Sequence, residues 1–368
     1  MRLDIDGRNC ELESGRSILD AVKKEGLDSI MLSDRPLAAQ IGGEGFNLRF
    51  TPKKDTQIHL LRYGEDMGRR VYERTLQFLF ILAMRKEFPR ARVCVRYSLG
   101  PGLFITVDGM EEPFNEEAAL KVETEMRRLV RLKLPLERRR ISIKEALSFY
   151  EQDGQADKAK LLKWRRFSYF DVYQIDGYMD YFYGEMAPDT SYADVFRVKY
   201  VHDGAVVLLM PRSDAPDVPS DYVDLPKLHA VFHQSDEWGK LMECATVNDL
   251  NTHIQNGTIR ELVRINEALH DRGYADIADK IVQKGAKAVL VAGPSSSGKT
   301  TSAHRISTQL RLQGCHPVML SLDDYYIDRD KIERDENGEI DLENINTLDI
   351  QRFGSDLAAL VRGEKVEV

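Results

Sequence analysis

A short apolar, β-branched run, Lys287-Ala288-Val289-Leu290-Val291-Ala292, leads into Gly293-Pro294-Ser295-Ser296-Ser297-Gly298-Lys299-Thr300. Ala303, Ile306 and Leu310 then recur at helical spacing before Gly314. Strand, glycine loop and helix in this order admit few folds: the run reads as a buried parallel strand and the loop as its turn onto a covering helix. Glycines let the loop backbone close around an anion, so that several N–H groups point at it. The helix adds the positive end of its dipole. A glycine, four residues and then Gly-Lys-Thr is a phosphate-binding pattern. Lys299 supplies a mobile cation for β- and γ-phosphates, and the Thr300 hydroxyl is a hard oxygen ligand for Mg²⁺. The expected nucleotide contacts are Gly293, Pro294, Ser295, Ser296, Ser297, Gly298, Lys299, Thr300 and Thr301, and the expected cofactors are ATP and Mg²⁺. The competing reading is an ordinary βα turn rich in Gly and Ser; the full pattern in its full setting argues against it.

A second apolar run, Pro317-Val318-Met319-Leu320-Ser321-Leu322, ends in Asp323-Asp324-Tyr325-Tyr326. Carboxylates at the carboxyl end of a strand lie where open α/β sheets bind ligands. One can take a proton from an attacking hydroxyl, and Asp324 can orient Mg²⁺. Alone, the pair would read as a polar turn. Together, Gly293–Thr301 and Ser321–Tyr326 resemble the uridine kinase and phosphoribulokinase family, and Asp341-Leu342-Glu343-Asn344 is similar to its acidic segment. The resemblance implies a nucleoside (uridine-type) kinase transferring the ATP γ-phosphate to a nucleoside or sugar hydroxyl. It implies Asp323 as base with Lys299 as catalytic cation, and Asp323, Tyr325, Tyr326 and Glu343 at the acceptor. Glu343 stands where the nucleoside kinases carry aspartate. After Lys287 only two strands and two helices are legible, the second helix from Ile350 through Phe353, Leu357 and Leu360. A parallel P-loop sheet needs about five covered strands. The chain therefore reads as stopping inside that domain. Its last part is expected to be incompletely packed, and the chain itself inactive as a kinase.

The front half carries different signals. Leu3 and Ile5 alternate with charges, Asp6-Gly7 is a hairpin turn, and Ser17 can cap a helix through Ile18, Leu19, Ala21 and Val22 with Asp20 in its first turn. Leu37–Ile41 reads as a strand before Gly42-Gly43. These features resemble the small β-grasp (TGS) module of threonyl-tRNA synthetases. Arg74–Phe78, Leu99–Phe104, Ile141–Leu147 and Gly177–Met186 then resemble the editing domain of the same synthetases. That resemblance places the family's His, His, Cys and His editing positions at Arg74, Phe78, Phe182 and Met186. Phe and Met cannot hold a proton, and Arg cannot act as a base. The scaffold is expected without its deacylation chemistry. The class II catalytic core has no counterpart, so aminoacyl-tRNA synthesis is not expected.

The domains expected are 1–62 (β-grasp module), 63–212 (editing-like, degenerate site), 213–285 (helical connector, with 214–221 as linker and Gly273 breaking a helical stripe) and 286–368 (first part of a P-loop kinase-like domain). The fold class is an α+β front half, a helical connector and a partial α/β domain with a parallel sheet. The alternative function is a non-catalytic nucleotide- or RNA-responsive protein that uses the synthetase-like front half.

Composition narrows the partners. The 368 residues carry 30% charged side chains and a net charge of −8, which argues against general nucleic-acid binding. Phe78–Met84 is far shorter than the roughly 20 apolar residues of a membrane span. Cys10, Cys94, Cys244 and Cys315 are isolated, as in a reducing, cytoplasmic setting. His229 and His233 stand one helical turn apart, but no zinc signature surrounds them and the structural reading is preferred. Arg127, Arg128, Arg131, Lys133 and Arg138–Arg140 read as a solvated helix face before they read as an RNA contact. Lys163-Trp164-Arg165-Arg166-Phe167 with Tyr169-Phe170 suits either stacking on a nucleotide or cation–π packing inside the fold.

Overall fold

The computed structural model describes residues 1–202, 204–328, 332 and 344–367. It divides into two compact units, Met1–Asn248 and Asp249–Val368.

The first unit opens with β1 (Arg2–Ile5) and β2 (Arg8–Glu11), a hairpin turned at Asp6 and Gly7, whose φ angles are +52° and +82°. Both residues tolerate the left-handed region, as a tight hairpin requires. Helix α1 (Ile18–Lys24) starts in the predicted capping box: Ser17 Oγ accepts from Asp20 N–H, and the Asp20 carboxylate accepts from Ser17 N–H. Strands β3 (Ala38–Ile41), β4 (Glu44–Phe46) and β5 (Thr56–Leu61) complete a five-stranded sheet, β2-β1-β5-β3-β4, in which only β1 and β5 run parallel. Leu3, Ile5, Ile58 and Leu60 alternate inward with period two and bury α1 through Ile18 and Val22.

At the sheet's end His59 donates to two carboxylates, Nδ1 to Asp6 at 2.8 Å and Nε2 to Glu65 at 2.7 Å, while Arg62 reaches Asp6 at 3.1 Å. The Glu65 and Asp6 hydrogen bonds raise the His59 pKa above its ordinary 6.5. A folded-state pKa above the unfolded one means that the stabilisation is fully present below pH 6.5 and is lost as pH rises through the folded-state value. Melting temperatures measured from pH 6 upward should fall more steeply for the wild type than for His59→Gln; parallel curves would remove His59 from the account.

Helix α2 (Asp66–Glu87) is the axis of the larger core. Strands β6 (Arg92–Leu99) and β7 (Gly102–Asp108) and helix α3 (Glu116–Leu132) follow. Next come β8 (Glu137–Ser142), α4 (Ile143–Gln152), α5 (Ala156–Leu162), β9 (Tyr169–Ile175) and β10 (Tyr178–Asp180). The antiparallel sheet β10-β9-β8 shares a core with α4 and α5 through Ile141, Ala146, Tyr150, Phe170 and Val172. Strands β11 (Arg197–His202) and β12 (Ala205–Leu209) join the sheet β11-β12-β7-β6. One face of it packs on α2 and α3 through Leu103, Ile105, Val206 and Leu208. Arg35 ties the small sheet to this body with a two-pronged bond to Asp194 at 2.8 and 3.0 Å and a bond to Tyr192 O at 3.3 Å.

The structure corrects two expectations here. Residues 214–221 are not a bare linker: β13 (Pro211–Arg212) pairs with β14 (Ala215–Pro219), and Asp217 accepts from Ser33 N–H at 3.1 Å. The basic run is not one helix face. Arg127, Arg128 and Arg131 lie on α3 and Arg138–Arg140 on β8, and Lys133 between them is left-handed with φ +50°. Most of these charges are paired: Arg127 with Glu123, Arg128 with Glu125, and Arg138 and Arg140 with Asp171. Held first by Arg140 and then by Arg138, the Asp171 carboxyl titrates at about 2.

Helix α6 (Pro226–Leu241) covers the other face of the four-stranded sheet, and α7 (Val247–Asn256) spans the junction of the units. In the second unit α8 (Ile259–Gln283) runs through Gly273 without a break. One interior glycine costs about 1 kcal/mol, too little to end a helix of this length that packs on a neighbour. That neighbour is α9 (Lys299–Leu312), which buries Ile306 and Leu310 against Ala278. Helix α10 (Ile350–Arg362) closes the unit with a left-handed cap at Gly363.

Residues 288–292 and 317–321 carry no regular secondary structure and belong to no ladder among the described residues. Leu290 is 85% and Val318 66% exposed. The described residues of this unit therefore form no parallel sheet, and its apolar faces are incompletely packed. No described helix is long and apolar enough to cross a membrane.

Candidate functional site

Arg74 and Phe78 lie one turn apart on α2, and Phe182 and Met186 lie on the segment after β10. The fold brings all four together. The Phe78 ring is fully buried, 5.3 Å from Phe182 and 5.8 Å from Tyr178. Met186 is fully buried in the same core. Arg74 Nε donates to Glu185 O at 2.9 Å. Burial pushes the Arg74 pKa down from its ordinary value, although a guanidinium keeps its proton at neutral pH.

Four further residues, which the sequence reading did not single out, hold this arrangement. Thr75 Oγ accepts from Ala187 N–H at 3.0 Å while donating to Val71 O at 2.7 Å. Tyr173 donates to Gly184 O at 3.0 Å, and burial pushes its pKa up. Asn47, just after β4, donates to Met186 O at 2.7 Å. Gly184 has φ +103°, and a Cβ there would lie 3.0 Å from the Arg74 guanidinium carbon. Only glycine allows both that conformation and that approach. The segment 184–187 is thus pinned by its backbone; Met186 fills the space with carbon, while the Glu185 carboxylate accepts from Arg138 and, at 3.2 Å, from the Tyr173 hydroxyl. None of Arg74, Phe78, Phe182 and Met186 can take up a proton at neutral pH. No described group of His, Cys, Asp and Glu could hold a metal ion.

Of the two candidate metal ligands on α6, His229 lies against the sheet. Its Nδ1 is 2.8 Å from the Tyr97 hydroxyl, and its ring centroid is 4.8 Å from Phe104 and 5.6 Å from His202. Burial and the neighbouring His202 and His233 lower its pKa, so it is held neutral as a packing residue.

In the second unit the glycine loop runs onto α9, whose N-cap Gly298 has φ +83° and offers no side-chain cap. The amides of the first turn are therefore left to solvent or to an anion. Ser296 is also left-handed, at φ +59°. A Cβ on Gly293 would meet the Ser297 Oγ at 2.7 Å, a contact that rotation of the hydroxyl can relieve. Lys299 Nζ folds back onto the loop and donates to Gly293 O at 2.9 Å and Pro294 O at 3.0 Å.

The other residues expected at this site follow α9 in the chain. Asp323 and Asp324 occupy a 3₁₀ turn, Leu322–Tyr325, capped by Ser321. No hydrogen bond or ion pair among the described residues joins that turn to 293–300. Tyr325 is buried: it is 2% exposed, its ring lies edge-on to Phe353 at 5.2 Å, and its hydroxyl donates to Asp356 at 3.1 Å. Tyr326 bridges to Leu348. Glu343 lies outside the described residues.

No family model matches the chain. Curated proteins named threonine–tRNA ligase do. That of Clostridium kluyveri is 24% identical over 194 residues, 52% of this chain and 30% of the ligase. That of Pelobacter propionicus is 25% identical over 193 residues, with 52% and 30% covered. That of Acetivibrio thermocellus is 28% identical over 160 residues, 43% of this chain and 24% of the ligase. The chain thus spans less than a third of the length of these relatives. These matches support the synthetase-like part of the chain.

They also correct the phosphoryl-transfer reading. The relatives are named as tRNA ligases and not as nucleoside kinases, and the parallel sheet that a kinase domain needs is not formed by the described strands. The nucleoside or sugar acceptor and the uridine kinase assignment go with it.

Proposed function

We propose that the chain is a synthetase-like binding protein that recognises RNA through its front unit and a nucleotide through its glycine loop, without deacylating the one or transferring phosphate from the other. The observation that carries this reading is the filling of the four editing-like positions by Arg74, Phe78, Phe182 and Met186 on an otherwise intact scaffold. The relatives' name indicates tRNA as the RNA class. A filled site on a retained scaffold can keep the binding surface while losing the reaction.

The residues at the loop fit ATP and Mg²⁺. Left-handed Ser296 and Gly298 and the uncapped first turn of α9 suit a phosphate group. Lys299 would exchange its two carbonyl partners for phosphate oxygens. The amides of Pro294–Thr301 would line the anion, except at proline, and Thr300, with Asp324 as a second candidate, would face Mg²⁺. Bound Mg²⁺ supplies charge neutralisation between the phosphates. Four free thiols suit a reducing, cytoplasmic setting.

The test uses the full chain with serine-charged and uncharged threonine tRNA. Binding to both is expected, with no release of serine above the uncatalysed rate and no stoichiometric zinc by metal analysis. Serine release, or absence of binding to either tRNA, would overturn the reading.

A further inference from the structure

We propose that the turn between α5 and β9 is a docking surface for single-stranded RNA, on which Trp164, Phe167 and Tyr169 stack bases while Lys160, Lys163 and Arg166 hold the phosphates. The proposal rests on the RNA-binding reading above and names the surface and the form of RNA.

The first observation is exposure. Phe167 is 60%, Tyr169 38% and Trp164 36% exposed. The Phe167 and Tyr169 centroids are 5.8 Å apart. Their orientations are held by neighbours. The Arg140 guanidinium lies 4.1 Å over the Tyr169 ring and is itself fastened to Asp171 at 2.8 and 3.0 Å. Trp164 Nε1 donates to Asn248 at 3.0 Å. Rings fixed in this way lose little freedom when a base stacks on them.

The second observation is charge. Residues 159–170 contain Lys160, Lys163, Arg165 and Arg166 and no carboxylate, in a chain whose net charge is −8. On α3 and β8 the arginines are mostly paired, yet Lys160, Lys163 and Arg166 have no acidic partner among the described residues. Arg165 lies 4.7 Å over Phe170, and its buried Nε–H has no hydrogen-bond partner. Local positive charge in an acidic protein, interleaved with fixed aromatic faces, is complementary to a flexible polyanion carrying planar bases.

A membrane surface fits less well. α5 has only seven residues and turns Ala159 and Leu162 inward, so no amphipathic helix presents an apolar face to lipid. Duplex RNA offers no exposed base faces to stack.

The experiment titrates the full chain with fluorescent oligouridylate, the same oligomer annealed to its complement, and anionic lipid vesicles. The wild type is expected to bind the single strand at least about tenfold more tightly than the duplex. Trp164→Ala with Phe167→Ala should weaken single-strand binding at least about tenfold without changing the circular dichroism, because both rings are exposed. Lys163→Ala with Arg166→Ala should lower the salt dependence of binding. Binding of tRNA with no affinity for the single strand overturns the surface and leaves the RNA reading intact. Single-strand binding that is indifferent to all four substitutions does the same. No binding of any RNA overturns both, and vesicle binding lost in the aromatic variant assigns the patch to lipid instead.

Discussion

Phe78→Ala is expected to lower the unfolding free energy of the front unit by about 3–5 kcal/mol. The ring is fully buried and touches Phe182 and Tyr178. Its neighbour on α2, Thr75, is bonded to the backbone of the opposing segment at Ala187. The surroundings therefore cannot close over the lost volume without breaking hydrogen bonds. Urea unfolding followed by far-ultraviolet circular dichroism measures the change. A loss below about 1 kcal/mol would be typical of a surface position and would show that this is an open site and not part of the core. Phe78→His should be destabilising as well, because it places ring nitrogens among Phe182, Tyr178 and Met186, where no partner is available. Restoring an imidazole here requires changing its neighbours with it.

The convergence of these four positions was legible only through the synthetase resemblance. Spacing alone puts Arg74 and Phe78 on one helical face, but nothing local pairs them with residues more than a hundred positions later. The parts that hold the site were silent for the same reason. Thr75, Tyr173 and Asn47 act through hydrogen bonds to Ala187, Gly184 and Met186, and a threonine, a tyrosine and an asparagine carry no signature of such distant partners.

Local chemistry was readable where it is self-contained. The Ser17–Asp20 capping box, the Asp6-Gly7 hairpin and the stop of α9 before Gly314 each depend on a few neighbouring residues, and each lies where the sequence puts it. Segments that depend on distant partners misled. Arg138–Arg140 continue the rhythm of a basic helix, yet they are fixed as a strand by β9, some thirty residues further on. Residues 214–221 have the prolines and aspartates of a linker, but a two-stranded ribbon tolerates proline at its edges, and Asp217 is held by Ser33 from the turn before β3. Lys287–Ala292 has every local mark of a buried strand. A strand is defined by its neighbours, and among the described residues it has none.

The glycine loop presents the opposite case, a motif whose local geometry is favourable although the sheet around it is not formed. Lys299→Ala is expected to weaken ATP·Mg²⁺ binding by about 2–3 kcal/mol, roughly 30-fold to 150-fold, because a charge-assisted bond to phosphate is removed. Calorimetry on the full chain measures it. The lysine also bridges Gly293 O and Pro294 O, so its loss could act by loosening the loop. Lys299→Gln separates the two effects: its amide can still donate to those carbonyls but carries no charge. If charge on the phosphates is what matters, the glutamine variant binds as poorly as the alanine variant, and raising the ionic strength narrows the gap between both and the wild type. If glutamine restores affinity, Lys299 serves to shape the loop. If neither substitution changes ATP affinity, the loop is an ordinary glycine-rich turn and the nucleotide half of the proposal fails, while the RNA half rests on the front unit alone.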